Sequence, residues 1–377
     1  FVYYWGGGHK TYGGNDIDAY NIAKDKWVQL TQAENWNNVV QWFGPDLSDQ
    51  VSYAQAHKGE KWAVDWLDLN SQQRQNREQE FFGTSLTAAQ LKEINKIAKV
   101  EGSRHGGWEV NILSPRGRPL VKHSYGQMAW WPGRGYCLLK QRFWCYDPQK
   151  GDADGAWSDL GPNPYRSHHD FDPGGSIAPW NLTYDPKLGT VVTVSGTGNN
   201  GKAYKFNPST GRWDLVIDGI QSRAPNTYSE VYSAYNPASG WHVVYAGQQW
   251  QRLNFATGET KSMAQLRSHL AQTGLVASAS GYNLESFSIT WAPELGKALV
   301  AKRIDGKLRL WTYDPKANSW SDFHLKGTGP QKAHAKWDTL ARDPLTGVYV
   351  FLAKDNGNAD PGQTPQTWTF WLRGSSS

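Results

Sequence analysis

The sequence predicts an all-β protein, a β-propeller of four-stranded antiparallel blades, and three observations carry that prediction. A turn reading Pro-x-x-Gly recurs five times, as Pro132-Gly-Arg-Gly135, Pro186-Lys-Leu-Gly189, Pro237-Ala-Ser-Gly240, Pro293-Glu-Leu-Gly296 and Pro344-Leu-Thr-Gly347. Successive turn prolines lie 54, 51, 56 and 51 residues apart. Proline presets φ for a turn and glycine supplies its left-handed residue, so each copy reads as a tight hairpin. A strand-built period of about 50 residues marks a ring of blades. The composition agrees: 39 Gly, 19 Pro and 21 Trp among 377 residues suit a turn-rich β protein.

Taken in order, Phe1–Gly8 reads as a strand ending in a glycine cluster, Asn15–Tyr20 as a second and Lys26–Leu30 as a third. The same order follows each Pro-x-x-Gly turn: an apolar strand, a polar loop, a strand ending in a turn, and a strand carrying Trp. The third-strand ends are Tyr146-Asp-Pro148, Phe206-Asn-Pro208, Phe255-Ala-Thr257 and Tyr313-Asp-Pro315. The tryptophans are Trp27, Trp157, Trp213 and Trp320, with Lys261-Ser-Met263 standing in for one in the fourth copy. Inner strands are expected to begin near residues 122, 176, 228, 285 and 335. The first copy holds only its second, third and fourth strands, which implies an inner strand upstream of Phe1. The last copy ends at Trp368–Arg373 without an evident fourth strand. Six blades fit best, with seven as the alternative.

Residues 31–116 do not fit the repeat and read as a partly helical insertion between the first and second blades. Thr87-Ala-Ala-Gln90 has the form of a capping box and opens a run, Leu91 to Ala98, with helical apolar spacing. The whole chain, 1–377, is read as one propeller domain, with 374–377 as a disordered tail. Cys137 and Cys145 face each other if the intervening segment is a hairpin centred near Gln141; a cross-strand disulfide and a pair of buried thiols are both compatible with that placement.

The Gly6-Gly-Gly8 strand end, the aromatic-Asp/Asn-Pro turns and the following tryptophans resemble kelch-type β-propeller repeats, over residues 1–30 and about 117–372. That resemblance implies a fold and says little about activity.

Charge suggests where a site would lie. The Pro-x-x-Gly and Asp-Pro turns share one end of the ring and are tight, so the variable loops emerge at the other. Those loops and the adjoining inner-strand starts bring His9, Lys10, Tyr12, Lys140, Arg142, Lys202, Trp250, Arg252, Lys302 and Arg303 together with Lys122, His123, His169, Tyr228 and Lys336. Asp305, Glu230 and Glu285 are the acids among them, so the net charge of +5 is concentrated at one end. A basic, aromatic cleft suits a polyanion whose rings stack on Trp and Tyr. The expected partner is an anionic polysaccharide rather than nucleic acid or membrane, and the expected state is a monomer.

For a uronic-acid polymer the chemistry would be β-elimination: a cation neutralises the uronate, a base removes the C5 proton, and an acid protonates the leaving oxygen. In architecture and site composition the chain is similar to propeller-fold polysaccharide lyases, ulvan lyases among them, which use His, Tyr and Arg. The catalytic candidates are His123 and Tyr228 as acid and base and Arg252 as neutraliser. The substrate-binding candidates are His9, Tyr12, Lys140, His169, Trp250, Lys302, Arg303 and Lys336. Each has a structural alternative, such as packing between blades or loop hydrogen bonding. No metal site is assigned; His168-His169-Asp170 reads as a solvated loop, and the chemistry requires no cofactor, while a structural calcium or zinc stays open. The runner-up enzyme is a glycoside hydrolase using Glu230 and Glu285, which needs facing carboxylates. A non-catalytic carbohydrate- or protein-binding kelch propeller is the other alternative. A secreted or periplasmic location is expected.

Overall fold

The computed structural model describes residues 1–4, 17–31, 128–139, 142–153, 155–162, 164, 181–194, 201–220, 231–246, 249–275, 288–304, 307–326, 339–353 and 366–372. They form six antiparallel sheets. The first holds β1 (Val2–Tyr4), β2 (Ile17–Asn21) and β3 (Lys26–Thr31). The second holds β4 (Met128–Trp131), β5 (Gly135–Leu139), β6 (Arg142–Tyr146) and β7 (Trp157–Pro162). The third runs through β8 (Thr183–Asp185), β9 (Thr190–Val194), β10 (Gly201–Asn207) and β11 (Arg212–Ile220). The fourth comprises β12 (Tyr232–Asn236), β13 (Trp241–Ala246), β14 (Gln249–Asn254) and β15 (Glu259–Ser262), followed by a short helix α1 (Leu266–Gln272). The fifth is β16 (Ser288–Ala292), β17 (Lys297–Ile304), β18 (Lys307–Asp314) and β19 (Ser319–Phe323). The sixth is β20 (Thr339–Arg342), β21 (Val348–Ala353) and β22 (Gln366–Trp371).

Every sheet is a simple meander in sequence order. The first strands of the second to sixth sheets, β4, β8, β12, β16 and β20, lie beside one another in succession and form the inner wall. Their described residues start at Met128, Thr183, Tyr232, Ser288 and Thr339. Among the described residues the first sheet has three strands, corresponding to the second, third and fourth of a blade, and the sixth lacks a fourth.

Six apolar clusters join the sheets in pairs, which closes the ring at six blades and sets aside the seven-blade alternative. Ile17, Tyr3 and Leu30 of the first sheet pack on Tyr136, Leu138 and Trp144 of the second. Trp131, Leu139 and Phe143 meet Val191 and Phe206. Val192, Ala203 and Ile217 meet Val244, Leu253 and Phe255. Tyr245 and Trp250, with Leu266 and Leu270 of α1, meet Val300, Trp311 and Trp320. Leu299 and Leu310 meet Tyr349 and Phe351. The sixth cluster sets Val348 and Val350 of the last sheet against Tyr20 and Trp27 of the first. There Trp27 Nε1 also donates to Thr367 Oγ1 at 2.8 Å.

The recurring aromatic-turn-Trp pattern acquires a physical reason. Tyr20 and Trp27, Tyr146 and Trp157, Phe206 and Trp213, and Tyr313 and Trp320 are direct cross-strand partners on third and fourth strands. Their ring centroids lie 5.2–5.5 Å apart. Such pairs contribute about 0.5–1.5 kcal/mol beyond burial. In the fourth sheet, which lacks this Trp, Met263 is buried in the cluster that the other tryptophans fill, with Trp250 against Trp320.

The two cysteines are register partners on β5 and β6 and form a disulfide. Residues 31–116, read as a partly helical insertion, lie outside the described residues apart from Thr31, and 374–377 lie outside them as well.

Candidate functional site

The two ends of the ring are built differently, because hairpin turns and long loops fall on opposite ends of a meander. At one end an Asp or Asn stands at nearly every turn, and its side chain accepts backbone N–H bonds from the turn. Asp185, Asn236 and Asp343 do this between first and second strands. Asn21, Asp147, Asn207, Asn254 and Asp314 do it between third and fourth strands. These bonds mimic a backbone turn, which is why Asp and Asn are favoured there. Glycine completes six of these eight turns, while Asp25 and Asn318 take the left-handed position after Asn21 and Asp314. In the first turn of the second sheet Gly135 has a twofold reason: φ is +92° and a Cβ would lie 2.1 Å from the Tyr146 carbonyl oxygen.

Two of these turns also clasp the following blade. Asp185 caps its own turn through Oδ1 and, through Oδ2, meets His242 Nε2 at 3.1 Å on β13 of the next sheet. Both side chains are buried, at 2% and 0% exposure. Burial pushes the His242 pKa below 6.5, against the opposing pull of Asp185. The ring therefore stays neutral with Nε2–H donating, and its Nδ1 has no hydrogen-bond partner among the described residues. Glu294 plays the corresponding part at the turn of the fifth sheet. It accepts from Arg342 Nε at 3.0 Å and from Tyr349 Oη at 2.9 Å, both in the sixth sheet. Its carboxyl is held below the ordinary value despite partial burial, through the Arg342 and Tyr349 hydrogen bonds. His242 and Tyr349 each stand two residues after the turn glycine, so the partner ends of the two clasps are equivalent, while Asp185 precedes its turn proline and Glu294 follows its own. This end is committed to holding the ring together.

The opposite end is where second and third strands are joined by loops. Arg142, Lys202, Arg303 and Lys307 stand within two residues of those strand ends, with Asp18 the acid so placed among the described residues. One part of the inner wall near this end satisfies its own polar groups. Thr193 Oγ1 donates to the Asn181 carbonyl at 2.5 Å, and Asn181 Oδ1 accepts from Val194 N at 2.9 Å. The Asn181 amide and the Thr183 hydroxyl both reach Ser233 Oγ of the next blade.

Four sequence-derived candidates fall on described residues. Trp250 is 1% exposed, and its backbone N–H and carbonyl are both bonded to the Gln265 side-chain amide. Its ring is a core element between the fourth and fifth sheets rather than a platform for sugar. Arg252 lies on the third strand of its sheet, and its Nη1 donates to the Pro315 carbonyl of the next blade at 3.1 Å. That contact makes Arg252 a strap between blades, away from the loop end where a carboxylate neutraliser is needed. Lys302 is 9% exposed near the loop end of β17, and Arg303 is its neighbour there. His9, Tyr12, His123, Lys140, His169, Tyr228 and Lys336 lie outside the described residues, as do Glu230 and Glu285.

Sequence reasoning missed the Asp185–His242 clasp. Each residue has a local reading, turn and strand, and only the equivalence of His242 with Tyr349 in the repeat marks the position. Among the described residues no group of three or more His, Cys, Asp or Glu could hold a metal ion. No helix among them is long and apolar enough to cross a membrane.

The fold and its two ends define the chain as a six-bladed β-propeller. No protein-family profile matches the sequence, and no curated protein matches it. Among solved structures, the chain is similar to TolB from Acinetobacter baumannii, at 11% identity and a TM-score of 0.37, over 63% of this chain and 47% of that one. It is similar to an auxiliary nutrient binding protein from Bacteroides ovatus, at 14% identity and a TM-score of 0.36, over 61% and 53%. A luciferin-regenerating enzyme aligns at 12% identity and a TM-score of 0.39, over 64% and 77%. The chain thus spans about half the length of the first of these.

Proposed function

We propose that the protein takes an acidic, uronic-acid-containing polysaccharide at the loop end of the ring and cleaves it by β-elimination. The observation that supports this reading is the asymmetry of the two ends. Asx turns and inter-blade clasps occupy one end, while the strand ends of the other carry Arg142, Lys202, Arg303 and Lys307 against the single acid Asp18 among the described residues. An excess of positive charge at a ring opening concentrates a polyanion there. In the scheme, cations of the fifth sheet neutralise the uronate, which acidifies the C5 proton. His123 and Tyr228 share proton removal and protonation of the leaving oxygen. Trp250 and Arg252 take no part, since both are engaged in packing between blades. The disulfide between Cys137 and Cys145 fits a secreted or periplasmic protein, because such bonds persist in oxidising compartments.

A second reading is a carbohydrate-binding propeller without turnover. It is favoured by the fact that the described strand ends supply charge, while both members of the acid–base pair come from other segments. Incubation with a panel of anionic polysaccharides, followed by ultraviolet absorbance of the unsaturated uronate, separates the two. Rising absorbance, lost in His123→Ala while the fold persists, is the expected result. New reducing ends without absorbance would instead indicate hydrolysis and direct attention to Glu230 and Glu285. Binding with neither product would leave the second reading.

A further inference from the structure

Of the two clasps at the turn end, one changes charge under mild acid and the other does not. The Asp185–His242 contact joins the third and fourth sheets with both side chains buried. The groups packed around His242 are few. Asp185 comes from the third sheet, and Lys187 of the same turn lays its side chain over Gly240 of the fourth. Tyr235, the register partner on β12, has its ring centroid 5.0 Å from that of the imidazole. Burial and then Asp185 hold this tyrosine above its ordinary pKa, so it stays a neutral phenol. Leu253 faces His242 from β14, and Phe255 packs on it at 4.9 Å. Neither carries charge.

A proton added to this imidazole goes to Nδ1, which is covered and has no acceptor among the described residues. The resulting cation is attracted to Asp185, but the burial that opposes it is the larger effect. Protonation therefore favours arrangements in which Nδ1 meets water, and parting the two sheets at this point supplies it. Nearer the loop end the same seam is pinned by other means. Asn181 and Thr183 both reach Ser233 Oγ, and amides and hydroxyls of this kind do not titrate in mild acid.

The seam between the fifth and sixth sheets is the counterpart. Partial burial pulls the Glu294 carboxyl upward, yet the Arg342 and Tyr349 hydrogen bonds hold it below its ordinary 4.5. A depressed carboxyl keeps its contribution until the pH falls through that lower value, whereas a depressed histidine begins to lose its own below 6.5. Between about pH 4.5 and 6.5 the two seams respond differently. We infer that Asp185 and His242 form an acid-operated latch. Under mild acid the turn end of the seam between the third and fourth sheets opens about its Ser233 bridge, while the seam between the fifth and sixth stays shut.

Hydrogen exchange of the whole chain, followed by mass spectrometry at about pH 7.0 and 5.5 and corrected for the intrinsic pH dependence of exchange, tests the latch. Amides of 187–192 and 240–245 should lose protection by about three- to ten-fold at the lower pH, ten-fold being the limit set by one pH unit below 6.5. Those of 295–300 and 347–352 should not change. His242→Gln keeps an N–H for Asp185 and removes the titration, so its two seams should respond alike. His269, which contacts Asp322 at 3.4 Å, is retained in that variant and serves as an internal control. Equal loss at both seams, loss spread evenly over 181–194, or an acid response retained in His242→Gln overturns the latch. No loss at either seam overturns it as well. Should His242→Gln fail to fold, the contrast between the two seams of the unaltered protein decides alone.

Discussion

Replacing Asp185 with Ala removes two kinds of contact at once, and their sizes can be separated. The first is local: Oδ1 accepts from Lys187 N at 2.9 Å and Leu188 N at 3.1 Å, a cap whose loss costs roughly 0.5–2 kcal/mol by analogy with helix N-caps. The second spans blades: Oδ2 meets His242 Nε2 at 3.1 Å, where both side chains are almost fully buried. Losing it strands a buried N–H, at about 1–3 kcal/mol. Together they predict destabilisation of about 2–4 kcal/mol. Asp314→Ala is the matched control. Asp314 caps its own turn through Lys316 N and Ala317 N but meets only a part-exposed Lys297 at 3.4 Å. A surface ion pair of that kind contributes about 0–1 kcal/mol, so the control should cost little more than its cap. Urea unfolding of both variants gives the comparison. Equal losses in Asp185→Ala and Asp314→Ala would refute the claim that the clasp holds neighbouring blades.

Three further outcomes follow from the same contacts. Because burial lowers the His242 pKa below 6.5, the unfolded chain binds more protons as the pH falls, so stability is full above about 6.5 and declines below it. Urea midpoints measured from pH 7.5 to 5.5 should fall with pH, and the slope should flatten in His242→Gln; an unchanged slope would remove His242 from the effect. Gly135→Ala places a Cβ against the Tyr146 carbonyl at a positive φ, so a loss of about 2–4 kcal/mol is expected by denaturant unfolding, from strain and overpacking combined. Reduction of the Cys137–Cys145 disulfide, which closes a short loop, should lower stability by about 2–3 kcal/mol, read as the shift in urea midpoint with and without dithiothreitol.

The repeat was legible because its punctuation is local. Proline, glycine and the Asp or Asn before them act within four residues, so Asp185-Pro186 and Asp343-Pro344 announce their turns in the bare sequence. Tryptophans on fourth strands were legible too, since their partners stand only seven to eleven residues earlier, as with Tyr20 and Trp27 or Tyr146 and Trp157. Contacts between blades were not legible. Asp185 and His242 are separated by 57 residues, and nothing near either one names the other. Trp250 shows the cost of reading a loop by composition. It sits beside a glutamine-rich loop that suggests an exposed aromatic, yet strand alternation turns its ring inward on to Trp320. Arg252, on the same face, follows it toward the next blade. The inner strands were expected to start near residues 122 and 228; the first described strand residues there are Met128 and Tyr232, and His123 and Tyr228 lie outside the described residues.

The seam between the last and first sheets has a mechanical consequence. Val348 and Val350 of the last sheet meet Tyr20 and Trp27 of the first, and the Trp27–Thr367 bond there joins residues 340 positions apart. That junction behaves as a bracelet's clasp. Among the described residues it is the contact that brings the two ends of the chain of sheets together, so weakening it would loosen the hoop without breaking any described strand ladder.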